Sequence, residues 1–229
     1  MALAGCHSAT HAGEVTTTLS PTPRSSVRRG AHRARTDRAE LYAVLDAGLV
    51  CHLGIVLGDA PVVLPTAYGR IGDTLYLHGS TGAGSVRAAD GAPVCVTVTH
   101  VDGVVYARSV FHFSMNYRSA VVHGRARRVT DDAERLAGLR AVTEHVAPGS
   151  WDHARLPNRK ELAATAVLAL DLAEASVKVR TGPPVDDDAD VEAGGRWAGV
   201  VPVRTTFDVP QPCPLLPPGS TTPVHVLAR

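Results

Sequence analysis

The hydrophobic positions of the chain fall mostly in short runs separated by turn residues. LVCHLGIVL (49–57), PVVLPTAY (61–68) and TLYLHGS (74–80) are rich in β-branched, Leu and Tyr residues, with Gly58-Asp59 and Gly72-Asp73 between them. They read as three hairpin-linked strands. PVCVTVTHV (93–101) has few polar positions and predicts a central strand, after which Asp102-Gly103 turns the chain into VVYARSVF. SAVVHGRARRV (119–129), TAVLALDL (165–172) and ASVKVRTG (175–182) add further strands. Helical spacing appears in two places. Asp37 with Glu40 fits a capping box ahead of Leu41, Val44 and Leu45, and Gly48 ends that helix. Asp131 with Glu134 repeats the pattern in 130–149, where Leu136, Leu139, Val142 and Val146 recur on one face. TGAGSVRAADG (81–91) predicts a Gly-rich entry to a short helix.

Short strands with turn-length links and two or three helices predict a mainly β, α+β fold: a closed or split β-barrel with peripheral helices. A doubly wound dinucleotide fold needs a helix after each parallel strand, and this order does not supply them. Residues 1–36, rich in Ala, Thr, Ser, Pro and Arg, predict a poorly ordered arm; 37–182 form the barrel domain. Residues 183–229 are Pro- and Asp-rich apart from RWAGVVPVRT (196–205), and predict an extended tail lying on a surface.

Composition narrows the function classes. The 229 residues, 45% hydrophobic, suffice for one sizeable core. Lys+Arg 23 against Asp+Glu 22 leaves a net charge of +1, which gives no general field to draw nucleic acid or an anionic membrane. The basic end of the arm, RSSVRRGAHRAR (24–35), is either a solvated tail or a phosphate contact. No apolar run approaches the roughly 18 residues that span a bilayer. Cys6, Cys51, Cys95 and Cys213 show no CxxC spacing, so neither a zinc site nor a redox dithiol is signalled, and a reducing cytoplasm is expected. Leu3-Ala4-Gly5-Cys6 resembles a lipoprotein cleavage box but lacks a basic start and an apolar core before it.

Two polar segments interrupt the strands. In His78-Gly79-Ser80-Thr81-Gly82-Ala83-Gly84, Gly82 and Gly84 free backbone N–H groups to face a ligand, and a helix begins near Ser85; that combination suits a phosphate, or is a plain turn. In Asn116-Tyr117-Arg118-Ser119, Arg118 offers a bidentate fork, Ser119 a hydroxyl and Tyr117 a flat face, although an Arg in a strand also pairs readily with a carboxylate.

These segments carry a resemblance. Pro65-Thr66, Tyr76-Leu77-His78-Gly79-Ser80, Asn116-Tyr117-Arg118-Ser119 and Lys178-Val179-Arg180 resemble the pyridoxamine 5'-phosphate oxidase-like, FMN-binding split-barrel proteins, in particular the branch with the nitroimidazole-resistance proteins. The resemblance runs from about Arg28 to about Trp197. It implies a homodimer with FMN at the subunit interface. Pro65 and Thr66 would lie along the isoalloxazine edge, with His78, Gly79 and Ser80 following. Asn116, Arg118 and Ser119 would bind ring oxygens or phosphate, with Tyr117 offering a flat face to a ring, and Lys178 and Arg180 would come from the other chain. Many family members place a base soon after the Gly-Ser; here those places are Ala83 and Gly84, and the next base is Arg87. Trp197 either caps the pocket or pins the tail to the barrel.

The function so implied is an FMN-dependent oxidoreductase acting on a small molecule by hydride transfer through the flavin; the alternative is a non-catalytic flavin- or haem-binding protein. No acid–base pair stands out, so no catalytic residue is assigned. His52, His100, His112 and His123 have no metal-site spacing and read as strand histidines. A haem, which relatives of the fold bind, would take one of them as axial ligand, and His112 beside the polar run is the one expected nearest a ligand.

Overall fold

The structure, a computed structural model, describes residues 17–19 and 22–229. The resemblance to a lipoprotein box at Leu3–Cys6 lies outside them. In chain order the elements are β1 (Ala34–Arg35), α1 (Arg38–Ala47), β2 (Cys51–Leu57), β3 (Ala60–Thr66), β4 (Tyr68–Ile71), β5 (Thr74–Ser80), α2 (Gly84–Ala89), β6 (Pro93–Tyr106), β7 (Ser114–Arg125), β8 (Arg127–Arg128), α3 (Asp132–Val146), α4 (Ser150–His153), α5 (Arg159–Ala164), β9 (Thr165–Asp171), β10 (Glu174–Arg180), α6 (Asp188–Ala193), β11 (Gly199–Pro202) and α7 (Val224–Leu227). All ladders are antiparallel. One sheet runs β1-β10-β7-β6-β2-β3 with β11 added on β6; the other runs β4-β5-β9-β8.

Alternation on the strands builds the core between the sheets. Leu53 and Ile55 of β2, Val94, Val96 and Val98 of β6, and Ala120 and Val122 of β7 point inward, while Leu75, Leu77, Leu168 and Leu170 come from the second sheet. Full burial of each Val or Leu contributes roughly 1.5–3 kcal/mol. Leu41, Val44 and Leu45 of α1 close one end. The result is a split β-barrel with peripheral helices.

Both predicted helix starts are capped, though neither forms a full box. Asp37 accepts from the Ala39 N–H at 2.8 Å, and Asp131 from the Glu134 N–H at 2.8 Å. The Glu134 carboxylate turns to Arg127 and the Tyr76 hydroxyl instead of its own helix start. The complete box, Asn158 with Glu161, opens α5 in a stretch where the sequence shows no helical period. Gly69 lets β4 lie directly on α3: a Cβ there would sit 2.3 Å from the Ala141 backbone.

The structure departs from the sequence reading in three places. Asp102-Gly103 does not turn the chain. β6 continues through it to Tyr106 with a bulge between Val101 and Gly103, and the reversal comes later, at a 3-10 turn over Val110–His112 capped by Ser109. Gly103 serves close approach: a Cβ would lie 2.9 Å from Val200 Cγ1 on β11. The polar run Asn116–Ser119 lies inside β7 and not at a strand end. The later part of the arm packs on the barrel. Leu19 is buried in the core, β1 pairs with β10, and Glu174 takes Arg24 and the Thr22 hydroxyl. The tail is mostly exposed, with β11 and α7 as anchored pieces. Among the described residues no helix is long and apolar enough to cross a membrane.

Candidate functional site

The two polar segments lie on different sheets, the first at the end of β5 and the second inside β7. Gly84 stands against Leu57 at one end of β2, whereas Arg118 pairs across His100, past the other end. At about 3.3 Å per residue, eight strand positions put Gly84 and Arg118 roughly 25 Å apart along the sheet. His78 lies closer, since Leu77 pairs with Tyr68, two residues after the Thr66 that faces Cys51.

The Gly-rich loop is closed on itself. Ser80 Oγ accepts from the Gly82 N–H at 3.2 Å, and the Arg87 guanidinium donates to the Gly82 carbonyl at 2.7 Å. His78 is exposed, and Gly79 leaves room for Val86, 2.7 Å from where its Cβ would be. Pro65 and Thr66 end β3 opposite His52 and Cys51.

In the other polar run, β7 and β10 place Asn116, Tyr117, Arg118, Ser119, Lys178 and Arg180 together. Tyr117 lies opposite Arg180, and Ser119 opposite Lys178. Buried Asn116 donates to the Gly182 carbonyl at 3.0 Å and accepts from the Arg180 guanidinium, which also donates to the Pro183 carbonyl at 3.2 Å. Burial lowers the Arg180 pKa, and the like charge of Arg33 adds to this. Arg118 grips Asp102 through two hydrogen bonds of 2.9 Å. Those bonds hold the Asp102 carboxyl below its ordinary pKa, and they raise that of Arg118. Ser119 Oγ donates to the Lys178 carbonyl at 3.4 Å, and Lys178 Nζ to the Arg29 carbonyl at 3.1 Å. Trp197 packs edge-on to Tyr106 at 5.7 Å and stays 67% exposed, pinning the tail to β6.

Beside Arg118 opens a cleft of about 870 Å³, walled by the start of β2 and the middle of β6 on one side and by Val203–Phe207 and Arg229 on the other. His52, His100 and His145 line it. His100 Nε2 donates to the Val44 carbonyl at 2.9 Å, and His145 Nε2 to the Gly48 carbonyl, with the His145 ring 4.6 Å from that of Tyr68. His112, expected nearest a ligand, lies outside the cleft. The 3-10 turn carries it past the bulge to Asp187, 3.3 Å away. His145 and the tail residues escape a reading by sequence. His145 sits on α3, where only Gly138 and Val142 are buried and the expected stripe residues Leu136 and Val146 are exposed, and the tail has no period; Phe207 of the tail lies under the Arg229 guanidinium at 4.3 Å. Among the described residues no group of three or more His, Cys, Asp or Glu is arranged to hold a metal ion.

The sequence profile of the pyridoxamine 5'-phosphate oxidase family matches residues 37–179. The chain belongs to the pyridoxamine 5'-phosphate oxidase family. Within that family's fold, the flavocytochrome Anf3 from Azotobacter vinelandii is 40% identical, with 92% of this chain and 98% of that one covered and a TM-score of 0.87. The FAD and haem binding protein from Mycobacterium smegmatis is 41% identical over 86% of this chain and 96% of that one, TM-score 0.82. A Bacteroides thetaiotaomicron protein assigned to 5-nitroimidazole antibiotic resistance is 21% identical over 64% and 86%, TM-score 0.55, which shows the fold alone. No curated protein sequence matches the chain. The family match stops at Val179, before the tail. The flavocytochrome likeness, over 92% of the chain, necessarily takes in part of residues 183–229.

Proposed function

We propose that the chain is a flavin-binding redox protein of the flavocytochrome type, a homodimer that holds a flavin nucleotide at each interface site and a haem in the cleft beside Arg118. The observation that carries the reading is the 40% identity to a flavocytochrome over nearly the full length, including part of the tail that walls the cleft. The 41% identical relative is named for FAD, so FAD takes precedence over the FMN expected from sequence.

The cleft suits a haem. Its volume falls within the roughly 300–1,000 Å³ of small-molecule sites. Leu49, Val50, Val101, Val203 and Phe207 give it apolar walls, three imidazoles face it, and Arg204 and Arg229 stand at its rim for carboxylates. A bound flavin supplies two-electron chemistry and a bound haem one-electron transfer. The chain's own residues position these groups. Asp102 and Arg118 neutralise each other at the cleft wall, and the carbonyls of Val44 and Gly48 fix the tautomers of His100 and His145. With these groups so committed, the described residues of the cleft wall serve to hold and orient a cofactor.

The family resemblance supports the dimer, since it draws the flavin site from the His78–Ser80 loop of one chain and the Lys178–Arg180 strand of the other. Exposed Val56 and Val63, at 59% and 63%, give the outer faces of β2 and β3 an apolar surface to cover. Free Cys51, Cys95 and Cys213 suit a reducing cytoplasm. Purification of the full chain, followed by acid release and identification of the nucleotide, tests the flavin reading: FAD in equimolar yield supports it, and protein that neither carries nor takes up FAD or FMN overturns it.

A further inference from the structure

Away from the cleft and the two polar segments, a row of titratable side chains crosses the larger sheet. Cys95 of β6 lies directly opposite His123 of β7, and His123 lies directly opposite Glu174 of β10. Residues in register on adjacent strands share a face, with Cβ atoms about 4.5–5.5 Å apart. Their chain neighbours Val94, Val96, Val122 and Ala175 are buried in the core, so the row stands on the outer face. There Cys95 and His123 are half-buried. Three strands thus set a thiol, an imidazole and a carboxylate side by side, in the order that a nucleophile, its base and the group orienting that base require.

The N-terminal arm fixes the carboxylate end of the row. Arg24 Nε donates to Glu174 at 3.1 Å, and the Thr22 hydroxyl donates to the same carboxylate. Glu174 is therefore ionised at neutral pH, and the neighbouring His123 ring favours that state too. His123 makes no hydrogen bond among the described residues, which leaves its ring nitrogens open to the thiol. On the other side of Cys95, β2 presents Gly54, where a Cβ would lie 3.7 Å from that of Cys95. The missing side chain leaves a narrow approach to the sulfur. Strung out in line, the row does not converge on a metal ion, so the chemistry left to it is that of the thiol. The other free thiols have no such surroundings: Cys51 is buried in the core, and Cys213 is exposed on the tail.

We propose that Cys95 is a peroxide-reactive thiol, with His123 as the base that takes its proton and Glu174 as the residue that positions the imidazole. The S–H proton passes to a ring nitrogen of His123 while the sulfur attacks one oxygen of a hydroperoxide. The O–O bond breaks as the S–O bond forms. Sulfur is oxidised to the sulfenic acid, and the peroxide is reduced to water or an alcohol, which takes the proton back from His123. A small oxidant suits the site, since the sulfur is half-buried and the approach beside Gly54 is narrow. Neither the flavin site nor the cleft takes part.

The test treats the full-length protein with hydrogen peroxide, traps the sulfenic acid with dimedone, and follows each cysteine peptide over time by mass spectrometry. Exposed Cys213 is the unassisted reference within the same molecule. Cys95 is expected to form the adduct at least about tenfold faster than Cys213, below the roughly 10²–10⁴-fold that a positioned base can supply. His123→Gln removes most of that advantage and Glu174→Gln part of it, while the Cys213 rate does not move. Continued protection of buried Cys51 shows that each variant is folded. A wild-type Cys95 that reacts no faster than Cys213 overturns the proposal, and this comparison needs no variant. A His123→Gln protein with Cys51 protected and the wild-type Cys95 rate overturns it as well.

Discussion

Arg118 and Asp102 face each other across the β6–β7 ladder and share two hydrogen bonds of 2.9 Å, one from Nε and one from Nη2. The fork that the sequence offers to a phosphate is occupied by a carboxylate of the same chain. Each side chain keeps about a third of its surface exposed, so solvent screens the pair and its worth is about 1 kcal/mol at most. Arg118→Ala is predicted to lower the melting temperature of the apo-protein by roughly 2–4 °C while leaving flavin affinity within a few-fold of wild type. Parallel melting curves and flavin fluorescence titrations check it. A loss of flavin affinity with an unchanged melting point would make Arg118 a cofactor ligand.

Much of the fold was legible in the chain. TLYLHGS became β5 at the expected bounds, and the Leu41, Val44, Leu45 stripe became the buried face of α1, because alternation and helical period report directly on which side faces the core. Asp102-Gly103 misled because its dipeptide chemistry is that of a turn. The bulge it makes depends on two partners remote in sequence, Arg118 and β11. The candidate site was legible only in halves. The motifs name the loop at 78–80 and the run at 116–119, but nothing local says that they fall on different sheets. The cleft was invisible for a similar reason, since one wall is a tail without periodicity.

The N-terminal arm is stapled by an acid-sensitive contact. The Arg24 guanidinium, and after it the Thr22 hydroxyl, push the Glu174 carboxyl down to about 2. A carboxyl whose pKa is lower folded than unfolded stabilises fully above its unfolded value near 4.3, and that contribution is lost as pH falls toward the folded value. Urea midpoints measured from about pH 6 down to about pH 2 are expected to fall less steeply for Glu174→Gln than for wild type. Identical slopes would show that the contact does not form.

Cys51 is fully buried, and burial pushes its thiol up to about 12, so little thiolate exists at neutral pH. Exposed Cys213 has no such protection. Mass spectrometry after iodoacetamide treatment of native protein is predicted to find Cys213 modified and Cys51 intact, with Cys51 reacting only after denaturation. Equal labelling of the two in the native state contradicts the packing of β2.

Gly69 tests the seam between β4 and α3. Its missing Cβ leaves 2.3 Å to the Ala141 backbone, which has no flexible side chain to yield. Gly69→Ala is expected to destabilise by about 1–3 kcal/mol, the range for overpacking a tight core. Gly72→Ala meets nothing within 4 Å, but its φ of 55° adds backbone strain of about 1 kcal/mol. A denaturant series that ranks Gly72→Ala as the worse of the two would refute the close approach.

The absorption spectrum of the purified full-length protein, taken oxidised and again after reduction, bears most directly on the central claim. Flavin bands together with a Soret band are expected, the flavin bands bleaching and the haem bands sharpening on reduction. A colourless protein that acquires neither set of bands after incubation with FAD, FMN and haem would contradict it.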